Sequence, residues 1–173
     1  IDLQFEEFFR NTIRFLKPYL GDLVCIGGCA NALYRHHQLA SPTNMAYIGT
    51  KDIDLASEQK LPVRGKPVSQ LMTEAGLREE HVGSGSEAVI KYGPTNEDLA
   101  MDVEFLCPAS GVRGTSRGRK QPESIDVQAG LKAQPLRYLD LLIHNPWQIS
   151  LERVPGFTDF REIAIQVPNP AAY

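Results

Sequence analysis

No run of apolar residues in this chain approaches the roughly 20 needed to cross a bilayer as a helix, so no membrane span is expected. Cysteine is scarce. Cys25, Cys29 and Cys107 are odd in number and lack zinc-ligand spacing, which excludes a disulfide framework and a cysteine-held zinc. They read as small buried hydrophobes in a reducing cytoplasm. A large charge of either sign is also lacking. The net charge is −3, so a polyanion would have to be met by a local basic patch or by metal ions. The opening residues Ile1-Asp2-Leu3-Gln4 contain no cationic stretch leading into an apolar one, so no signal peptide is read. They also lack an initiator methionine, and the expectation is that the sequence starts inside a longer protein.

What is present suits one soluble domain over residues 1–173. Hydrophobic residues make up 42% and charged residues 23%, enough of each for a core and a solvated surface. Residues 2–17 predict an amphipathic helix, with Phe5, Phe8, Phe9, Ile13 and Leu16 at helical spacing and Pro18 as the stop. Phe15 falls at the edge of that stripe. Residues 23–26 form a short apolar run, expected as a buried strand. Gly27-Gly28 follows, then a helical stretch over 29–39 and a loop over 40–50. A strand is expected at 52–56, a connection at 62–67, and a helix at 68–75 that Gly76 terminates. Strands are then expected at 78–82, 88–92 and 99–106, with a turn at 93–96.

Residues 109–124 read as a mobile loop carrying Arg113, Arg117, Arg119 and Lys120. The apolar stretch 136–143 has no decisive period. Strands are expected at 148–153 and 162–167. Asn169-Pro170-Ala171-Ala172-Tyr173 reads as a helix start, implying a further helical part beyond residue 173. His36-His37 near a helix end are read as favouring the helix dipole, and Trp147 as a packing anchor. Helices alternating with strands early, and strands in succession later, predict an α/β (α+β) domain around a mixed sheet.

Three segments carry chemistry. In Thr50-Lys51-Asp52-Ile53-Asp54-Leu55, strand alternation puts Asp52 and Asp54 on one face and Ile53 and Leu55 on the other. Two carboxylates roughly 7 Å apart on one strand face repel each other. A divalent cation between them relieves that, and magnesium prefers such hard oxygen ligands. Ile26-Gly27-Gly28 directly follows an apolar strand and opens a helix, so backbone N–H groups there can approach a phosphate. No Gly-Lys-Ser/Thr follows, and no third glycine completes a dinucleotide fingerprint. In Met101-Asp102-Val103-Glu104-Phe105-Leu106, Asp102 and Glu104 share a face against an apolar back. Laid beside the Asp52–Asp54 strand, it completes a carboxylate cluster able to hold two metal ions.

The order of these segments resembles the nucleotidyltransferase superfamily, the fold of DNA polymerase beta-like proteins, and within it the bacterial AbiEii-like and uncharacterised nucleotidyltransferase groups. The matching residues are Gly27-Gly28-Cys29-Ala30, Thr50-Lys51-Asp52-Ile53-Asp54 and Val103-Glu104-Phe105-Leu106. The resemblance implies that Asp52, Asp54 and Glu104 are the catalytic ligands of two magnesium ions, with Asp102 the alternative third ligand. Gly27, Gly28 and Thr50 would hold the nucleoside triphosphate. The implied reaction moves NMP from an NTP to a hydroxyl of an acceptor, whether RNA, protein or small molecule. A toxin paired with an antitoxin partner is one version. A non-catalytic nucleotide-binding or protein-interaction module is the alternative. It is motivated by the long stretch between Gly28 and Asp52 and by Tyr47 and Ile48 standing where the family often has an arginine.

Overall fold

The computed structural model describes residues 3–41, 50–82, 89–96, 100–109 and 124–170. Most of the loop expected over 40–50, the basic loop with Arg113, Arg117, Arg119 and Lys120, and residues 171–173 of the expected helix start lie outside the described residues.

The chain opens with helix α1 (Leu3–Leu16), which a 3₁₀ turn at Lys17–Tyr19 ends at Pro18 as the sequence predicts. Strand β1 (Val24–Ile26) runs straight into α2 (Gly27–Tyr34). Then come β2 (Asp52–Ala56), α3 (Val68–Glu74), β3 (Leu77–Val82), β4 (Val89–Pro94) and β5 (Asp102–Pro108). The second half holds β6 (Ile125–Gln128), β7 (Leu131–Leu136), α4 (Leu139–Ile143), β8 (Trp147–Ser150) and β9 (Ala164–Val167).

Among the described residues nine strands form one mixed sheet in the order β3-β4-β5-β2-β1-β9-β8, with β7 also on β5 and β6 on β7. The pair β2/β5 is parallel, and β1/β2 and β4/β5 are antiparallel. Two strands share one edge of β5, the edge away from β2. β4 pairs with the first half of β5 and β7 with its second half.

Alternation sorts the sheet residues onto two faces. One face carries Cys25, Ile53, Leu55, Val103 and Phe105 into the main core, which the apolar stripe of α1 joins through Phe5, Phe8, Phe9, Ile13 and Leu16. Phe105 is fully buried and meets Tyr92 edge to face at 5.8 Å. Burying each such side chain contributes roughly 1.5–3 kcal/mol. The opposite face is apolar only at one end, where Val24, Ile26, Ala56 and Leu106 are covered by Leu139 of α4. The other end of that face holds the acids of β2 and β5.

Several sequence expectations change. The helix expected over 29–39 begins at Gly27 and ends at Tyr34. β4 runs through Gly93-Pro94, where a turn was expected, because Arg78 and Leu77 still pair with those two residues. The undecided stretch 136–143 splits into the end of β7 and the short helix α4. Residues 151–153 leave the sheet as a 3₁₀ turn. The hairpin β6–β7 was not foreseen. All three cysteines are buried, as expected of small hydrophobes, and burial pushes the Cys107 thiol up to about 11. No helix among the described residues is long and apolar enough to cross a membrane.

The connection between β2 and α3 is tied to the hairpin by a buried amide. Gln128 Oε1 accepts the Val68 N–H at 2.8 Å, satisfying a free donor at the start of α3. Its Nε2 donates to the Pro62 carbonyl at 3.1 Å and lies 3.3 Å from the Tyr19 hydroxyl. Removing a buried partner from such a network costs about 1–3 kcal/mol per group left unsatisfied. Gln128→Ala is therefore expected to lose about 2–4 kcal/mol in urea unfolding, with the m-value unchanged.

Candidate functional site

The parallel register of β2 and β5 sets the acids side by side. Asp52 is the cross-strand partner of Asp102, and Asp54 of Glu104. Both pairs project from the same sheet face, since each strand alternates with buried Ile53, Leu55, Val103 and Phe105. The four expected acidic residues thus form a two-by-two array. One row can be followed across five strands: Glu80, Lys91, Glu104, Asp54 and Ile26 are successive partners.

The glycine turn sits against the β2 side of the array. Gly27 has φ +65°, and a β-carbon there would overlap Asp54 Oδ2. Glycine is required on both counts, by the left-handed backbone and by the close approach. A β-carbon on Gly28 would lie 2.7 Å from Thr50 Cβ. The two glycines therefore let the helix start close directly over Asp54 and Thr50. Gly27 is exposed and Gly28 half-buried, so the turn faces solvent beside the acids.

The electrostatics follow from this crowding. Burial, then the charges of Glu104, Asp52 and Asp102, push the Asp54 carboxyl up to about 6, against a smaller opposing effect of Lys91. Burial also raises Asp102, although its Oδ2 accepts a hydrogen bond from Lys91 Nζ at 3.2 Å. Asp102 Oδ1 is buried with no hydrogen-bond partner among the described residues. Burial alone would lower Lys91, but its bond to Glu104 and the charges of both acids outweigh that and raise it.

Lys91 was not foreseen from the sequence. The signal was available: Ile90-Lys91-Tyr92 places one cation between two buried apolar residues on a strand. Lys91 pairs with Asp102 and Glu104 from β4, on the side of β5 away from β2. Among the described residues no three or more His, Cys, Asp or Glu side chains are gathered at metal-holding distance. Lys91 engages the β5 acids from the side opposite the β2 acids. The donor set itself fits a divalent cation: four hard carboxylate groups, one with a buried oxygen that has no hydrogen-bond partner among the described residues and one whose pKa is raised by burial and by the other three acids.

His36 and His37 follow the end of α2. Burial, then the charge of Arg35, lowers the pKa of His36, which works against the expected cationic role at a helix end. His37 instead stacks on Trp147 with ring centroids 3.9 Å apart, so Trp147 anchors the α2 end to β8. Among the described residues, the motifs that meet at this site are the turn and the two acid-bearing strands.

A family model described as Nucleotidyltransferase matches residues 18–173. No curated protein and no solved structure matches the chain.

The raised pKa of Asp54 has a stability consequence. Between the ordinary value near 3.8 and about 6, the folded protein holds this proton more tightly than the unfolded chain. Its stabilising contribution is complete below pH ~4 and is lost as pH rises through ~6. Because the carboxyl is only half-buried, screening leaves about 1 kcal/mol of this. In metal-free buffer, Asp54→Asn should exceed wild type by about 1 kcal/mol in urea unfolding at pH 8, with the gap closing by pH 4.

Proposed function

Because the chain belongs to the nucleotidyltransferase family, we infer that its acid array and glycine turn transfer an NMP group from a nucleoside triphosphate to an acceptor hydroxyl. The observation that carries this is the in-register pairing of Asp54 with Glu104 and of Asp52 with Asp102, beside a turn whose glycines close over Asp54 and Thr50.

Asp52, Asp54 and Glu104 would hold two magnesium ions, with Asp102 beside them. Magnesium, when bound, supplies positive charge against the triphosphate and lowers the pKa of a hydroxyl near it. The chain's own residues do the rest. The backbone N–H groups of Gly27 and Gly28, at the positive end of α2, donate to the β- and γ-phosphate oxygens. The Thr50 hydroxyl, packed against Gly28, lines the same approach. The acceptor oxygen forms a bond to the α-phosphorus as the bond from that phosphorus to the bridging oxygen breaks. Pyrophosphate leaves with the bonding pair, and Glu104 takes the acceptor's proton. Asp54, Asp102 and Glu104 are half-buried, which makes each fixed charge worth more than in bulk water.

The finer reading is an AbiEii-like bacterial enzyme working in the cytoplasm on RNA, a protein or a small molecule, with an antitoxin as its partner in one version. It rests on the motif spellings and on three buried free cysteines. A second reading is favoured by one observation, that Lys91 already pairs with both β5 acids and offsets part of their charge. On that reading the fold binds nucleotide without turnover.

The test is label transfer from each α-labelled NTP into acceptor pools with magnesium. Wild type is expected to transfer label and release pyrophosphate, and Asp54→Ala to fall by at least about a hundredfold. Tight NTP binding with no transfer would favour the non-catalytic reading. Equal silence of both proteins, with no NTP binding, would sink both readings.

A further inference from the structure

Lys91 is the one cation among the described residues that enters the acid array, and it does so from a defined direction. It stands on β4, directly across from Glu104 on β5. Its ammonium pairs with both Glu104 and Asp102. Its other register neighbour, Glu80 on β3, is drawn elsewhere: the Glu80 carboxylate lies over Gly93 and accepts from Arg78 Nε at 3.0 Å. Lys91 is therefore committed to the β5 acids. The lysine is only a quarter exposed and its two partners less than a quarter, so the pairing is shielded from bulk screening.

Two features show that this pairing leaves the site unsatisfied. One ammonium faces four carboxylates, so the array keeps a net negative charge. Asp102 Oδ1 remains buried without a hydrogen bond among the described residues. Among the described residues no lysine or arginine forms an ion pair with the β2 acids, and Lys91 pairs only with those of β5.

We propose that Lys91 is the resident counter-ion of this site, a positioning residue that holds Glu104 toward β4 and that a divalent cation must displace from Glu104 in order to bring β2 and β5 acids together. This rests on the metal-binding reading given above. In the metal-free protein, Lys91 offsets part of the repulsion among four carboxylates and keeps the strand pair intact. With a divalent ion bound, Glu104 would serve the ion and Lys91 would stay with Asp102. Asp102 is then the acid that remains with the lysine and Glu104 the one that serves the metal. The lysine would set the threshold concentration at which the site loads, because every binding event competes with an ion pair already made.

The test uses Mn2+ as the probe, followed by loss of its free electron paramagnetic resonance signal, with no nucleotide present. Wild type, Lys91→Met, Lys91→Gln, Lys91→Arg and Asp54→Asn are compared, each shown to be folded by circular dichroism. Removing one positive charge beside the site should tighten Mn2+ binding about tenfold in the Met and Gln variants. Their metal-free Tm should fall by about 3–6 °C, while Arg, which keeps the charge, stays near wild type in both. A residue with a merely structural role would lower Tm without tightening the ion. The Gln variant serves if the Met variant does not fold. Mn2+ binding to wild type that is unchanged or weakened in both neutral variants overturns the role given to Lys91 and leaves the metal site standing. Absence of Mn2+ binding to wild type and to every variant overturns the metal site itself and the role of Lys91 with it.

Discussion

The parallel pairing of β2 with β5 is the constraint on which the rest depends. Each strand alone is an ordinary half-buried ribbon with two acids on one face. Register joins them: Asp52 beside Asp102, Asp54 beside Glu104. A slip of one residue would turn Ile53 or Val103 into the site and an acid into the core, and the core side is fully buried. The hydrophobic packing of Ile53, Leu55, Val103 and Phe105 thus fixes the positions of the carboxylates. The cost of placing four acids together is met locally, by partial exposure, by a raised Asp54 and by Lys91.

The same face shows a division of labour along its length. Near the β1 end it is apolar and capped by Leu139 of α4. Beyond Ala56 and Leu106 it becomes acidic, at the level where β1 gives way to the glycine turn. Gly27 makes that junction possible, since no other residue could hold φ +65° with Asp54 in the place of its β-carbon. The turn, the strand and the acid are consequently one mechanical unit. A phosphate held by the turn would lie beside the carboxylates without any loop having to close.

Much of this was legible in the sequence, for identifiable reasons. The acids were readable because strand alternation is strict and both motifs alternate acid with large apolar residues. The turn was readable because glycine pairs after apolar runs have few uses. The boundary errors have equally local causes. Gly93-Pro94 looks like a turn, yet β3 holds it in the sheet. The hairpin β6–β7 was missed because Leu131–Leu136 includes a proline and long polar side chains that dilute its alternation. Lys91 was passed over because a single lysine on a strand usually points to solvent. Only the sheet order, which puts β4 next to β5, reveals what it faces. Strand order is non-local and cannot be read from any one segment.

On the proposed function, the β2 and β5 carboxylates hold two magnesium ions beside the glycine turn. A crystal structure with magnesium and a non-hydrolysable NTP tests it most directly. The account predicts metal density between Asp52, Asp54 and Glu104, with the triphosphate against the Gly27 and Gly28 amides. Nucleotide bound elsewhere, or acids left without metal while the nucleotide is seated, would contradict it.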